Sequence, residues 1–316
     1  MYYPYLRGKQ YELLALRDFS SENQNNEKIV PIIEPVKQQM NGLNIAMSAM
    51  IANGMKFAII LNPMDGDFKH PNVNNDIIGE LTSLAENSEC WIPAYLYKGC
   101  AETIMTHAKE HNLKNLMIVF PSGVDVNNEG LMKFLSDEMI AYVVVGNLGN
   151  NRSARGKLLR LDKDIISLEN RFQEKARNAD YANALDEQFS EDFAYYRDDR
   201  LAGFSDYTPL SKDYIEGGML PYAIAIHLTY QRSDDQIYVH HFVSDSNYDQ
   251  SNIRGKFYEA ATKIAPFYDG GGYVRTSAVE ELIQRATSED GFPGLGYIKK
   301  LSVKNHLELI NHILPD

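Results

Sequence analysis

Short, nearly continuous apolar runs recur through the first 150 residues, separated by stretches whose apolar positions return every three or four residues. The runs predict strands at Tyr3–Arg7, Ile29–Glu34, Phe57–Asn62, Trp91–Tyr97, Leu116–Pro121 and Ala141–Gly146. Several, such as FAIIL, LMIVF and AYVVV, lack polar alternation, the pattern of strands buried on both faces in a parallel sheet. The intervening periodicity predicts helices at Tyr11–Phe19, Leu43–Ala52, Asn75–Glu86, Ala101–His111 and Glu129–Asp137. A strand every 25–30 residues or so is the rhythm of βα units.

Beyond Gly146 the rhythm loosens. Ile165–Asn183 reads as a charged helix, Arg200–Tyr207 as a seventh strand and Tyr222–Tyr230 as an eighth. The polar turn Arg232–Asp235 then joins Tyr222–Tyr230 to Ile237–Asp245 as a hairpin. Helices follow at Gly255–Ala265, Ser277–Thr287 and Lys304–Leu314. No low-complexity linker divides the chain; Gly270-Gly271-Gly272 is the nearest approach to one. The expected architecture is α/β: one (β/α)8, TIM-barrel-like domain over residues 1–316, with 232–316 carrying the hairpin and extra helices. An open doubly wound sheet is the alternative, but no G-x-G-x-x-G or Walker sequence favours it.

Composition narrows the function classes. The net charge of −12 argues against a general nucleic-acid surface, which needs a cationic face, though it leaves room for a local basic pocket. No apolar run reaches the roughly 18 residues of a membrane span. The start, MYYPYLRGKQ, lacks the basic-then-apolar order of a signal peptide, so a cytoplasmic location is expected. Cys90 and Cys100 are too few for a disulfide framework or a four-cysteine zinc site and are expected to be buried or partly buried thiols.

In a barrel, ligands bind where the parallel strands end. Here the exits are polar: Arg7-Gly8-Lys9, Glu34-Pro35, Asn62-Pro63 with Asp65-Gly66-Asp67, Tyr97-Lys98-Gly99, Pro121-Ser122-Gly123, Gly146-Asn147 and Gly203–Tyr207. Barrel closure would turn Arg7, Lys9, Glu34, Asn62, Lys98 and Asp206 towards one cleft. Such a set binds an anion through its cations, with Glu34 or Asp206 as the catalytic candidate that moves a proton. The plainer reading is that turns after strands are polar in any α/β protein.

Other candidates are weaker. Asp65 and Asp67 lack the spacing of a calcium loop and read first as a solvated turn. His240 and His241 are neighbours on a strand and point to opposite faces, while His227 lies on the other hairpin strand and is a candidate ligand-binding residue. No set of three histidines has the HxH, HxxxH or HExxH spacing of zinc sites, so no metal ligands and no cofactor are assigned. Arg254 and Lys256 open a helix beside Gly255 and are phosphate candidates. Ser122 lacks the G-x-S-x-G elbow of a hydrolase.

The opening Tyr2-x-Pro-Tyr-Leu-Arg-Gly-Lys-Gln-Tyr-Glu-Leu-Leu-Ala-Leu-Arg17 and Ile29-Val-Pro-Ile-Ile-Glu-Pro35 resemble a largely uncharacterised bacterial family related to the "beta protein" family named after a phage protein. Gly203-Phe-Ser-Asp-Tyr207 and Gly294-Leu-Gly-x-x-Lys-x-Leu-Ser-x-x-x-His-Leu-Glu-Leu309 are similar too. The resemblance implies a phage-defence or mobile-element setting, with a small nuclease-like protein, often encoded alongside, as the candidate partner. Arg7, Lys9, Glu34, Asp206 and Tyr207 stand within these motifs, which assign no catalytic roles.

The leading expectation is a barrel that binds or processes a phosphorylated or nucleotide-like ligand through Arg7, Lys9, Asn62, Lys98 and Tyr207. On this reading Glu34→Gln and Arg7→Ala remove binding and leave the melting temperature nearly unchanged. The 20 tyrosines, enriched at interfaces, support a rival: a non-catalytic binding or assembly subunit. A third reading is a divalent-metal phosphodiesterase built on Glu34, Asn62, Asp65 and Asp206.

Overall fold

The apolar runs become the wall of a barrel. The computed structural model describes residues 1–70, 72–74, 76–81, 89–215, 217 and 220–315. Its first six strands fall inside or within a residue of the expected segments: β1 (Tyr5–Leu6), β2 (Ile32–Ile33), β3 (Phe57–Ile60), β4 (Trp91–Leu96), β5 (Leu116–Phe120) and β6 (Ile140–Gly146). With β7 (Asp164–Glu169), β8 (Asp186–Ser190) and β9 (Gly203–Asp206) numbered along the chain, the eight-stranded sheet runs β1-β2-β3-β4-β5-β6-β7-β9. All neighbouring pairs are parallel. Tyr2 bridges Ile29 on one side and Phe204 on the other, so the sheet nearly closes into a (β/α)8 barrel. At this seam the Tyr3 amide donates to the Phe204 carbonyl at 2.8 Å and the Phe204 amide donates to the Met1 carbonyl at 3.2 Å.

Alternate residues of each strand point inward and fill the barrel. Tyr5, Ile32, Ile60, Ala94, Leu96, Val119, Val144, Ile166, Leu168 and Tyr207 belong to this one buried cluster. Helices α1 (Gln10–Glu22), α2 (Asn41–Ala52), α3 (Ala101–Glu110), α4 (Glu129–Leu135) and α5 (Arg152–Leu158) link successive strands. Asn128 and Asn151 cap α4 and α5, accepting from Leu131 N at 3.0 Å and Ala154 N at 2.9 Å. Half of the expected helix Asn75–Glu86 lies outside the described residues; its described part holds a short 3-10 turn at Ile78–Glu80.

Two expectations in the middle of the chain are corrected. Ile165–Asn183 is no helix: it opens with β7, the seventh barrel strand, and ends in a 3-10 turn at Asn178–Asn183. Ser167 and Glu169 interrupt the apolar run there because they face away from the barrel interior, where the Glu169 carboxylate accepts from Ser167 Oγ at 2.8 Å and Gly149 N at 2.9 Å. The eighth barrel strand is therefore β9, within the segment expected to be the seventh. Tyr222–Tyr230 supplies instead β10 (Ala225–Ser233), which pairs antiparallel with β11 (Gln236–Val243) in a separate three-stranded sheet of order β10-β11-β8.

The chain clusters into two compact units. One is the barrel: Met1–Leu13, Ser20–Asn170 and Tyr195–Tyr207. The other comprises Leu14–Phe19, Arg171–Ala194 and Thr208–Asp316. In it, Ile226, Leu228, Tyr230 and Phe242 pack against apolar residues of α6 (Ile253–Ala261), α7 (Ile264–Gly271), α8 (Ser277–Thr287) and α9 (Leu295–Ile313). Both cysteines are free; Cys90 is half-buried, but Cys100 is exposed, contrary to expectation. No described helix is long and apolar enough to cross a membrane.

Candidate functional site

The exits of β1 and β2 deliver Arg7 and Glu34 to the barrel mouth. Gly8 follows at φ +60° and passes close to the Glu34 carbonyl, so the turn that releases Arg7 from the strand needs a residue without Cβ. Glu34 is buried, yet its carboxylate is well served. Tyr5 Oη donates to Oε2 at 2.7 Å, Met64 N donates to Oε1 at 3.0 Å, and the Arg7 guanidinium ion-pairs with Oε2. Two carboxylate oxygens accept about four hydrogen bonds, so one position on Oε1 remains for a ligand.

Arg7 also pairs with Asp65 at 3.0 Å, and Lys69 approaches the other Asp65 oxygen at 3.3 Å. The guanidinium lies 5.1 Å from the Tyr5 ring centre and 5.7 Å from that of Tyr207, within cation–π range of two phenols tilted against each other. Burial works against the Arg7 charge, but Tyr5, Glu34 and Asp65 more than offset it and raise its pKa. Burial, then Glu34, pushes the Tyr5 hydroxyl well above the ordinary tyrosine value, which keeps it a donor. Asp65 is presented by Gly66, at φ +63°, where a Cβ would lie 2.1 Å from the Val36 carbonyl.

Tyr5, Arg7, Glu34, Met64 and Asp65 line a cavity of about 580 Å³, within the usual range for small-molecule sites. Its wall adds Tyr97 and Phe120, with ring centres 5.0 Å apart, and the Pro121–Gly123 turn. Lys98 sits between two lining residues, Tyr97 and Gly99. Desolvation lowers its pKa, while Glu34, near enough to be felt, pulls the other way.

The structure thus brings Arg7, Glu34 and Tyr207 together, with Lys98 beside them. It also adds Tyr5 and Asp65. The other expected residues stand elsewhere. Lys9 lies outside the cavity lining, its carbonyl accepting from Leu13 N at 2.9 Å. The Asn62 amide is spent on the Leu96 backbone, at 2.9 and 2.8 Å. Asp206 is buried on the opposite face of β9 from Tyr207 and accepts from Tyr2 Oη at 2.7 Å. Strand alternation therefore keeps it from sharing a proton with Glu34. Glu34, Asp65 and Asp206 do not bring their carboxylates within chelating reach of one another.

Arg254, Lys256 and His227 belong to the second unit. Arg254 is exposed and pairs with Asp290 at 3.1 Å. Lys256 is buried, its ammonium donating to the Asp249 carbonyl, so it clamps a loop. His227 stands directly across from His241 in the hairpin, Nδ1 to Nδ1 at 2.7 Å. His241 Nε2 lies 3.0 Å from Glu187 Oε2, and Lys175 pairs with the other Glu187 oxygen at 2.7 Å. Phe172 and Tyr181 pack on both rings. Desolvation, then His241, holds His227 well below the ordinary histidine value of 6.5. Desolvation also lowers His241, with Glu187 partly offsetting it.

A pH dependence follows. The unfolded chain takes up protons at these rings near pH 6.5, whereas the folded protein resists them until lower pH. Their contribution to stability is complete above that value and is lost as pH falls below it, at about 1.4 kcal/mol per pH unit for each ring. Urea denaturation from neutral pH to about pH 5 should show this loss, and His227→Gln should flatten it. An unchanged slope in that variant assigns the acid sensitivity to other groups.

The pair His107-x-x-x-His111 escapes a search for three histidines, although its spacing is plain in the sequence. Comparison with protein-family models and with curated proteins found no match to the chain.

Proposed function

We propose that the barrel mouth binds a small anionic ligand of the phosphorylated or nucleotide-like class. The observation that carries this reading is Lys98. Lys98 is exposed, stands next in sequence to the lining residues Tyr97 and Gly99, and among the described residues its ammonium makes no ion pair. Arg7 is committed to Glu34 and Asp65 and serves as part of the polar floor. A phosphate at Lys98 gains a charge-assisted contact that no carboxylate already occupies. The Tyr97–Phe120 pair offers aromatic surface for a base, and the open position on Glu34 Oε1 accepts an N–H or O–H from the ligand. Binding is the role these residues support; the pairing of Glu34 with Asp206 for proton transfer has no geometric basis.

Calorimetric titration with inorganic phosphate and with AMP tests the proposal. Both should bind the native protein and weaken about tenfold or more in Lys98→Ala, the loss of one charge-assisted contact. Tyr97→Ala should cost AMP about 1–3 kcal/mol and leave phosphate unaffected. Failure of both probes to bind, or equal binding by Lys98→Ala, overturns the reading.

A further inference from the structure

A second constellation lies in the barrel unit, on α3 and the segment between β3 and β4. His107 and His111 are one helical turn apart, the His111 amide donating to the His107 carbonyl at 3.2 Å, so both rings emerge on one face with centres 4.6 Å apart. Asp76 faces them: its Oδ1 lies 3.1 Å from His107 Nε2. One ligand atom from each of the three residues falls within 4.8 Å of the others, and among the described residues no other group of three or more His, Cys, Asp or Glu does so.

Two details point to a ligand here. First, His107 Nε2 is buried and makes no hydrogen bond, despite its 3.1 Å approach to Asp76. That separation suits a His–Asp ion pair, and it suits equally two ligands of one cation. Ligands about 2.0–2.1 Å from a tetrahedral zinc ion stand roughly 3.3 Å apart, close to the separation seen. Second, Tyr95 on β4 places its hydroxyl oxygen 2.7 Å from His107 Nδ1. This outer partner holds the ring in place; in the tautomer whose Nδ1–H donates to the tyrosine oxygen, the Nε2 lone pair is left for a metal, as histidine ligands usually require. Asp76 is likewise held, its Oδ1 accepting from Ile78 N at 3.3 Å and its amide donating to Asn74 at 3.0 Å.

We propose that Asp76, His107 and His111 bind a divalent transition-metal ion of the zinc type, oriented by Tyr95. Two imidazoles and one carboxylate suit zinc, and three protein ligands leave a fourth position for water or an exogenous group. His111 is exposed and closes the set by rotation of its side chain. Nothing in this proposal depends on the barrel-mouth cavity.

The test is titration of the full, chelator-stripped chain with Zn2+ alone, followed by calorimetry, and with Co2+ alone, followed by visible absorption. The native protein should bind one ion and give the intense Co2+ spectrum of tetrahedral coordination. His111→Ala, at an exposed position, should remove the spectrum and weaken Zn2+ binding at least a hundredfold with no change in circular dichroism. Tyr95→Phe should weaken binding about 10–100-fold while keeping the spectrum. Absence of one-to-one binding, or equal binding by native protein and His111→Ala, overturns the site.

Discussion

Arg7→Ala should destabilise the protein by about 3–5 kcal/mol, the cost of breaking a buried ion pair from one side. The Arg7 side chain is only 14% exposed and that of Glu34 2%. Removing the guanidinium strands the Glu34 charge among Tyr5, Tyr207 and the barrel core, with Asp65 left facing it. The chain's sequence suggested a residue that could be changed without cost to the melting temperature; the burial of both partners says otherwise. Glu34→Gln keeps the shape and removes the charge, so the double substitution should recover part of the loss. Urea denaturation of the two single variants and the double closes the cycle. Additive losses would mean that the pair has no energetic coupling. Arg7→Lys should behave more like alanine than like arginine, because a single ammonium cannot reach two carboxylates and lie against two phenol rings at once.

Gly203→Val should have the next largest effect, at the seam. A Cβ on Gly203 would lie 2.5 Å from the Tyr3 ring and 2.7 Å from the Met1 carbonyl, distances no packed carbon tolerates. Relief requires β9 to move off the first strand, and the backbone bonds between Tyr3, Phe204 and Met1 go with it. Overpacking of this kind costs about 1–3 kcal/mol, and the lost seam bonds add to that. Hydrogen exchange should locate the damage: the Tyr3 and Phe204 amides should lose protection ahead of those in β4 to β6. Uniform loss of protection would show that the seam is not a separate weak point.

Much of the barrel was legible because six strands are buried on both faces and write themselves as unbroken apolar runs. The seventh was hidden by two of its own residues. Ser167 and Glu169 turn outward and satisfy each other and Gly149, so a strand with buried polar residues looks like the beginning of a charged helix. For β10 the strand was legible and its sheet was not. The alternation of Ile226, Leu228 and Tyr230 says that one face is buried, but not against which partner. At the mouth, Arg7 and Glu34 were readable as strand exits, whereas Asp206 was misplaced by one step of the pleat. Tyr207 was expected to meet a ligand and Tyr5 was not singled out; both rings lie beside the Arg7 guanidinium. The His107–His111 spacing was present in the sequence; only folding brings Asp76 to it.

The seam has a consequence for biosynthesis. Tyr2 and Asp206, hydrogen-bonded in the finished barrel, are made 204 residues apart. At about 5–20 residues per second, the ribosome takes some 10–40 seconds to bring the second to the first. Throughout that interval the opening strand has one sheet edge unpaired, and β7, once made, has another. Folding can proceed around the barrel from β2 to β7 as each strand emerges, but closure waits for β9. The nascent chain therefore passes through an open-sheet state whose exposed edges are the part most in need of protection from other strands.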